Sequence, residues 1–261
     1  MKRIIFSQYT EKVDPHTSVT DYKRNQFIKY KNTLIEKQKQ YALNCNADYE
    51  LFNTDHTNYV DIQFQKLLMF EKLSEHYDEV LYLDLDVIPI RKESFFKKFD
   101  LNNITAYDIS TPQPDVKILT NLNEKDIWHP MDMYLKSCCK NAMLLLDDLK
   151  GKDSCINTGV VGMNKKAIDL LQFSDRLSEC KSLLLEAKED NLYPNEMSKR
   201  WQINNEVIFS YLIEKYKLPF RNTGMAWNFI VDHAVSEYSA ASYFLHVVNK
   251  NFQDYSEAFS S

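Results

Sequence analysis

The stretch His76-Tyr77-Asp78-Glu79-Val80-Leu81-Tyr82-Leu83-Asp84-Leu85-Asp86-Val87-Ile88-Pro89 decides how this chain is read. Val80 to Leu83 form a short continuous apolar run, the pattern of a strand buried on both faces. Strand alternation then sends Asp84 and Asp86 toward one side and Leu85 into packing. Two hard oxygen ligands can thus share a site. Mg²⁺ and Mn²⁺ prefer such ligands and complete their shell with phosphate oxygens and water. The competing reading is a turn in which each aspartate only bonds nearby backbone.

Upstream, residues 3 to 7 read as a first buried strand opening into the polar run Ser7-Gln8-Tyr9-Thr10. Phe27, Tyr30, Leu34 and Tyr41 recur at helical spacing and predict a helix from about Tyr22 to Asn44, before a second strand at Asp48 to Phe52. Leu67, Phe70 and Leu73 predict a helix over Ile62 to His76, which leads into the strand 79–83. The order β-α-β-α-β predicts an α/β fold with a mostly parallel sheet flanked by helices and ligands at the carboxyl ends of its strands.

Downstream, strands are expected at Ile104 to Ile109 and Gly159 to Met163, with helical segments over Lys165 to Glu186 and around Val207, Ile208, Tyr211 and Leu212 before Pro219. Residues 111 to 155, with Pro112, Pro114 and Pro130, are the least readable, although Asp147-Asp148 is expected on a helix.

The 261 residues, 44% hydrophobic and 26% charged, suffice for one large α/β domain with its own core. A net charge of -5 leaves no positive field for nucleic acid, so a phosphorylated substrate needs a local cation. Five cysteines at 45, 138, 139, 155 and 180 have no C-x-x-C spacing, which points away from zinc or a disulfide framework and toward a reducing compartment. The N-terminal apolar run is too short for a signal peptide, and no eighteen apolar residues follow one another. A cytoplasmic protein without a transmembrane segment is expected.

The segment from His76 to Pro89 closely resembles the strand and Asp-x-Asp motif of GT-A glycosyltransferases, notably family eight and its viral and bacterial relatives. By order and spacing the resemblance covers most of the chain. It implies a GT-A, Rossmann-like mixed sheet in one domain over 1–261, with a nucleotide-binding half at 1–110 and an acceptor-binding half at 111–261. It further implies a hexosyltransferase that takes a sugar from a nucleotide diphosphate donor; family eight favours retention of configuration, whereas Glu206 acting as a base would instead suggest inversion. The acceptor, whether glycan, lipid-linked or protein, is not specified.

The resemblance assigns site residues as well. Ile4-Ile5-Phe6-Ser7-Gln8-Tyr9 looks like the nucleotide-binding start, placing Ser7, Tyr9 and the loop after them at the donor, and the helix carrying Lys66 is similar to the one before Asp-x-Asp. Lys66, Asp84 and Lys250 join them as donor-binding residues. Cys155-Ile156-Asn157-Thr158-Gly159-Val160-Val161-Gly162-Met163 resembles the Asn-Ser/Thr-Gly strand, so Asn157 would face the sugar and Gly159 permit close backbone approach. Asn204-Asn205-Glu206-Val207 resembles a late-helix motif that usually begins Asp-Gln, which gives Asn205 and Glu206 catalytic placement; helix capping explains Asn204 or Asn205 equally well. Phe244-Leu245-His246-Val247-Val248-Asn249-Lys250 resembles His-x-x-Gly-x-x-Lys, with Asn249 where glycine is expected. His246 would be the third ligand, after Asp84 and Asp86, of Mn²⁺ or Mg²⁺, and Lys250 would meet the diphosphate. A plain core histidine is the alternative.

Three other functions compete. A haloacid dehalogenase-like phosphatase also carries Asp-x-Asp after a strand, but normally at the start of its domain, whereas 83 residues precede Asp84. A catalytically inactive nucleotide-sugar-binding module would have no need of both aspartates. A sugar nucleotidyltransferase would need a glycine-rich loop that Phe6-Ser7-Gln8-Tyr9-Thr10 does not supply.

Overall fold

A computed structural model of the chain describes residues 1–10, 21–54, 59–111, 129–189, 203–231 and 241–259. Its strands are β1 (Arg3–Tyr9), β2 (Asp48–Asn53), β3 (Glu79–Leu83), β4 (Val87–Pro89), β5 (Ile104–Ser110), β6 (Ser154–Asn164), β7 (Phe220–Asn222), β8 (Phe229–Val231) and β9 (Phe244–Val247). Its helices are α1 (Asp21–Cys45), α2 (Tyr59–Leu73), α3 (Phe95–Lys98), α4 (His129–Leu146), α5 (Lys165–Leu171), α6 (Phe173–Glu189) and α7 (Asn205–Lys215).

Six strands form the main sheet in the order β2-β1-β3-β6-β5-β7. β1 is parallel to β2 and β3, β5 is parallel to β7, and β6 runs antiparallel between β3 and β5. The sheet is therefore mixed and mostly parallel, as expected. Period-2 alternation splits its side chains between two layers. Ile4, Phe6, Val80 and Tyr82 pack with Phe64, Leu67 and Phe70 of α2 and Val207 and Ile208 of α7. Ile5, Leu81 and Leu83 pack on the other face with Tyr41 of α1 and Phe95 of α3.

The buried residues of α1 are Gln26, Leu34, Gln38, Tyr41, Ala42 and Cys45, and from Leu34 on they form a stripe of helical spacing with Gln38 as its polar member. Gln38 is fully buried and bonded at both ends of its amide. Its Nε2 donates to the carbonyls of Asp84 and Val87, each at 2.9 Å, and its Oε1 accepts from the Ser7 and Tyr49 hydroxyls at 2.5 and 3.1 Å. One side chain thereby fixes the turn between β3 and β4.

A second sheet, β4-β9-β8, stands beside the first. Val87 pairs with His246 across the antiparallel β4 and β9, and the Val247 N–H donates to the Asp86 carbonyl at 3.0 Å. Aromatic rings seat this strand: Trp227 stacks on Tyr243 at 4.2 Å between centroids and meets Phe244 and Phe95 edge-on at 5.3 and 5.5 Å.

Some expectations change. Lys165 to Glu186 is two helices, because Gln172 adopts a left-handed conformation (φ 46°, ψ 50°) that ends α5. Asp147 and Asp148 lie just past the end of α4, with Asp148 also left-handed at φ 57°. Pro112, Pro114 and residues 11 to 20, where a donor-contacting segment after Thr10 is expected, fall outside the described residues.

Replacing Gln38 by Leu keeps the volume but removes the side-chain donor to the Val87 carbonyl, leaves the Asp84 carbonyl with the Val87 N–H alone, and takes the Oε1 acceptor away from the Ser7 and Tyr49 hydroxyls. Urea unfolding is expected to show a loss of about 3 kcal/mol. A loss under about 0.5 kcal/mol, the range of a neutral surface change, would show that the turn holds itself.

Candidate functional site

The Asp84-Leu85-Asp86 run sits in a turn and not on a strand. Alternation is therefore not what aligns the two carboxylates. Asp84 N–H extends the main-sheet ladder by donating to Gly159 O at 2.8 Å, Val87 N–H closes the turn on Asp84 O at 2.9 Å, and Gln38 holds both carbonyls. Both carboxylates then face His246, with ligand atoms of Asp84, Asp86 and His246 all within 4.8 Å of one another. His246 Nε2 lies 3.3 Å from Asp86 Oδ2 and 3.9 Å from Asp84 Oδ2.

Gly159 makes room for the histidine. A Cβ at this position would stand 2.3 Å from His246 Cε1, so the close approach that Gly159 permits is that of the imidazole ring. His246 Nδ1 lies 2.9 Å from Asn228 Oδ1, which leaves Nε2 on the carboxylate side. Two carboxylates and one imidazole nitrogen are a donor set that suits Mn²⁺ or Mg²⁺, and these residues could hold such an ion.

Cations surround the pair. Lys66 Nζ donates to Asp84 Oδ1 and to the Thr158 carbonyl, both at 3.2 Å, and the Tyr82 hydroxyl donates to the same Asp84 oxygen at 2.5 Å. Lys250 Nζ contacts Asp86 Oδ2. Burial drives the Asp86 carboxyl upward, but the adjacent Lys250 and His246 more than offset it and hold the group far below the usual carboxylate range. Lys250 itself has a left-handed backbone (φ 63°), where glycine would be strain-free. Lys23, at the start of α1, is pushed down by burial and by Lys250.

A cavity of about 400 Å³ opens over this cluster. Its walls include Gln8, Tyr9 and Thr10 from the end of β1, Lys23, Arg24 and Phe27 from α1, Lys66 from α2, Asp132 and Lys136 from α4, Asn157 and Thr158 from β6, Asn204 to Glu206 at the start of α7, and His246 and Lys250. Of the residues expected at the site, Tyr9, Lys66, Asp84, Asp86, Asn157, Asn205, Glu206, His246 and Lys250 all line it.

Ser7 does not. It is fully buried, with its hydroxyl between the Leu83 carbonyl at 2.7 Å and Gln38 Oε1, so it ties β1 to β3 and is turned away from the cavity. The correction has a simple cause: a polar residue at a strand end reads the same whether it faces a loop or bridges two strands.

At the far wall Asn204 caps α7, its side chain accepting from Glu206 N–H at 2.7 Å. Asn205 Nδ2 donates to Thr158 Oγ1 at 2.8 Å. Glu206, 7% exposed, accepts from Lys136 Nζ at 2.5 Å and from Asn157 Nδ2 and Thr158 N–H at 3.0 Å each. Burial raises its carboxyl, but Lys136 and these bonds outweigh that and bring it down to about 2. Lys136 also pairs with Asp132 at 2.5 Å. Lys136, Asn228 and Gln38 were invisible in the sequence, because each acts on partners remote along the chain and none belongs to a local pattern.

No family model matches this chain, and no curated protein does. Among solved structures it is similar to a glycosyltransferase involved in the glycosylation of the major capsid of PBCV-1, at 15% identity over 100% of both chains with a TM-score of 0.51. It is also similar to the galactosyltransferase LgtC in complex with donor and acceptor sugar analogs, at 12% identity over 99% of this chain and 95% of that one, TM-score 0.44. Mouse xyloside xylosyltransferase 1 matches at 11% identity over 95% and 98%, TM-score 0.44. The chain has the fold of the first of these. Likeness of fold says nothing of chemistry by itself, so function rests on the site.

Glu206 should contribute acid-sensitive stability. Its folded pKa of about 2 lies below the unfolded carboxyl, so its contribution is full above about pH 4.5 and is lost as pH falls through about 2. Glu206→Gln is expected to cost roughly 3 kcal/mol at pH 7 in urea unfolding, the cost shrinking toward pH 2. A pH-independent cost would show that the carboxylate charge does not matter.

Proposed function

We propose that the protein is a metal-dependent glycosyltransferase that moves a sugar, in the first instance a hexose, from a nucleotide diphosphate donor to an acceptor. One observation carries this reading: Asp84, Asp86 and His246 converge on the cavity that Lys66 and Lys250 also line. The shared fold is consistent with it. A divalent cation, Mn²⁺ by preference or Mg²⁺, would supply charge neutralisation of the donor diphosphate as the glycosidic bond breaks.

The chain's own residues do the rest. Lys250 and Lys66 lie where they can pair with phosphate oxygens, exchanging the aspartate oxygens they now hold. Tyr9, 6.0 Å from Phe27 between ring centroids, offers an aromatic wall for the nucleotide base. Asn157, Asn205 and Glu206 shape the sugar end of the cavity. Glu206, with three donors and a depressed pKa, is a poor proton acceptor, which favours retention over an inversion that needs a protein base.

In this reading residues 1–110 supply the donor half and 111–261 the acceptor half of one domain. The setting is cytoplasmic, in keeping with five cysteines that are all free. No helix among the described residues is long and apolar enough to cross a membrane.

The test needs no acceptor. A panel of nucleotide diphosphate hexoses is incubated with the protein and Mn²⁺, and release of nucleoside diphosphate is followed. Slow hydrolysis of one donor is expected, lost on chelation and reduced at least about 100-fold in a folded Asp86→Asn variant. Release of phosphate from p-nitrophenyl phosphate without donor hydrolysis would favour the phosphatase instead.

A further inference from the structure

A chain of polar contacts runs from the α7 wall of the cavity to the metal-facing histidine. Glu206 Oε1 accepts from Asn157 Nδ2 at 3.0 Å; Asn157 Oδ1 accepts from Asn228 Nδ2 at 2.8 Å; Asn228 Oδ1 meets His246 Nδ1 at 2.9 Å. The participating groups of Asn157, Asn228 and His246 are buried, at 5%, 0% and 3% exposure. At that depth a reversed amide would place like groups in contact and leave buried polar atoms unpaired.

The direction of every bond is dictated at one end. An ionised carboxylate only accepts, so Asn157 must present its NH₂ to Glu206. Independently, the Gly159 backbone N–H only donates, and it lies 3.0 Å from Asn157 Oδ1. Both anchors agree on which way Asn157 points. Its oxygen therefore faces Asn228, which must answer with NH₂ and turn its own oxygen to the histidine. An amide oxygen only accepts, so Nδ1 must carry the proton.

We infer that Asn157 and Asn228 are positioning residues forming a polarised amide relay, anchored at Glu206 and the Gly159 N–H, that holds His246 as its Nδ1–H tautomer. Nε2 is thereby the nitrogen turned to the carboxylates, 3.3 Å from Asp86 Oδ2 and 3.9 Å from Asp84 Oδ2, and the one that would give up its proton to a cation bound there. The inference rests on the metal reading for its use, but the tautomer is a property of the protein alone. It gives Asn157 a task at a distance from the sugar, and explains why a saturated carboxylate that is ill suited to be a base lines the cavity. The opposite tautomer would aim an N–H at the carboxylates and remove the nitrogen ligand.

The experiment is long-range ¹H–¹⁵N correlation of the histidine rings in metal-free protein at about pH 9. The relay predicts a pyrrole-type Nδ1 for His246 in the wild type. Asn157→Leu removes the acceptor that orients Asn228, and His246 should then shift to an Nε2–H form or a mixture. Asn157→Asp keeps that acceptor and should retain Nδ1–H, although it sets two carboxylates against each other at Glu206. A role in packing alone predicts no such split between the two variants.

If Asn157→Leu does not fold, Asn228→Leu asks the same question by deleting the partner of Nδ1. An Nε2–H tautomer in the wild type, or Nδ1–H persisting in a folded leucine variant, overturns the relay. Zn²⁺, a diamagnetic cation that accepts imidazole nitrogen, separates this from the metal reading. If Zn²⁺ leaves Nε2 unmoved in the wild type, the metal site fails while the tautomer result stands on its own.

Discussion

The pairing of β4 with β9 is the constraint on which the site depends. Three residues after the acidic turn are enough to form a short antiparallel ladder, and its register sets His246 opposite Val87, one residue past Asp86. The backbone bond from Val247 N–H to Asp86 O completes it. Two groups 160 residues apart in the sequence thus meet through main-chain hydrogen bonds, whose geometry is far less forgiving than side-chain contact. The aromatic cluster around Trp227 supplies the buried apolar area that keeps so short a strand in place.

Around that register the protein arranges charge. It is acidic overall, at -5, yet the half-buried Asp84 and the buried Asp86 and Glu206 each have a lysine: Lys66 for Asp84, Lys250 for Asp86, Lys136 for Glu206. Burying these carboxylates unpaired would be costly, and the lysines remove that cost. The pairs differ in what they leave available. Lys66 and Lys250 stand in the cavity beside the cation-binding atoms, whereas Lys136 is committed to Glu206 and Asp132. The first two can move to an anionic ligand; the third fixes a wall.

The parts of this arrangement that were legible in the sequence are those carried by local patterns. The apolar run before Asp84 gave β3, the spacing of Leu67, Phe70 and Leu73 gave α2, and both aspartates and His246 stood out by residue type. Even there the reason was partly wrong, since a turn pinned by Gln38, and not strand alternation, aligns the carboxylates. Gln38 looked like one more polar position on a helix rich in Lys and Gln. Asn228 and Lys136 were silent because their partners, Asn157 and Glu206, lie 71 and 70 residues away. Ser7 misled for the opposite reason, as it sat at the right place in the chain with its hydroxyl turned inward.

The most direct test of the convergence of Asp84, Asp86 and His246 on one cation is pulsed electron paramagnetic resonance of Mn²⁺ bound to the folded protein. With a nucleoside diphosphate present, the spectrum should show coupling to one imidazole ¹⁴N and to ³¹P, with the nitrogen coupling lost in His246→Ala and the phosphorus coupling kept. A bound Mn²⁺ without nitrogen coupling in the wild type, or one whose nitrogen coupling survives in His246→Ala, would contradict the account.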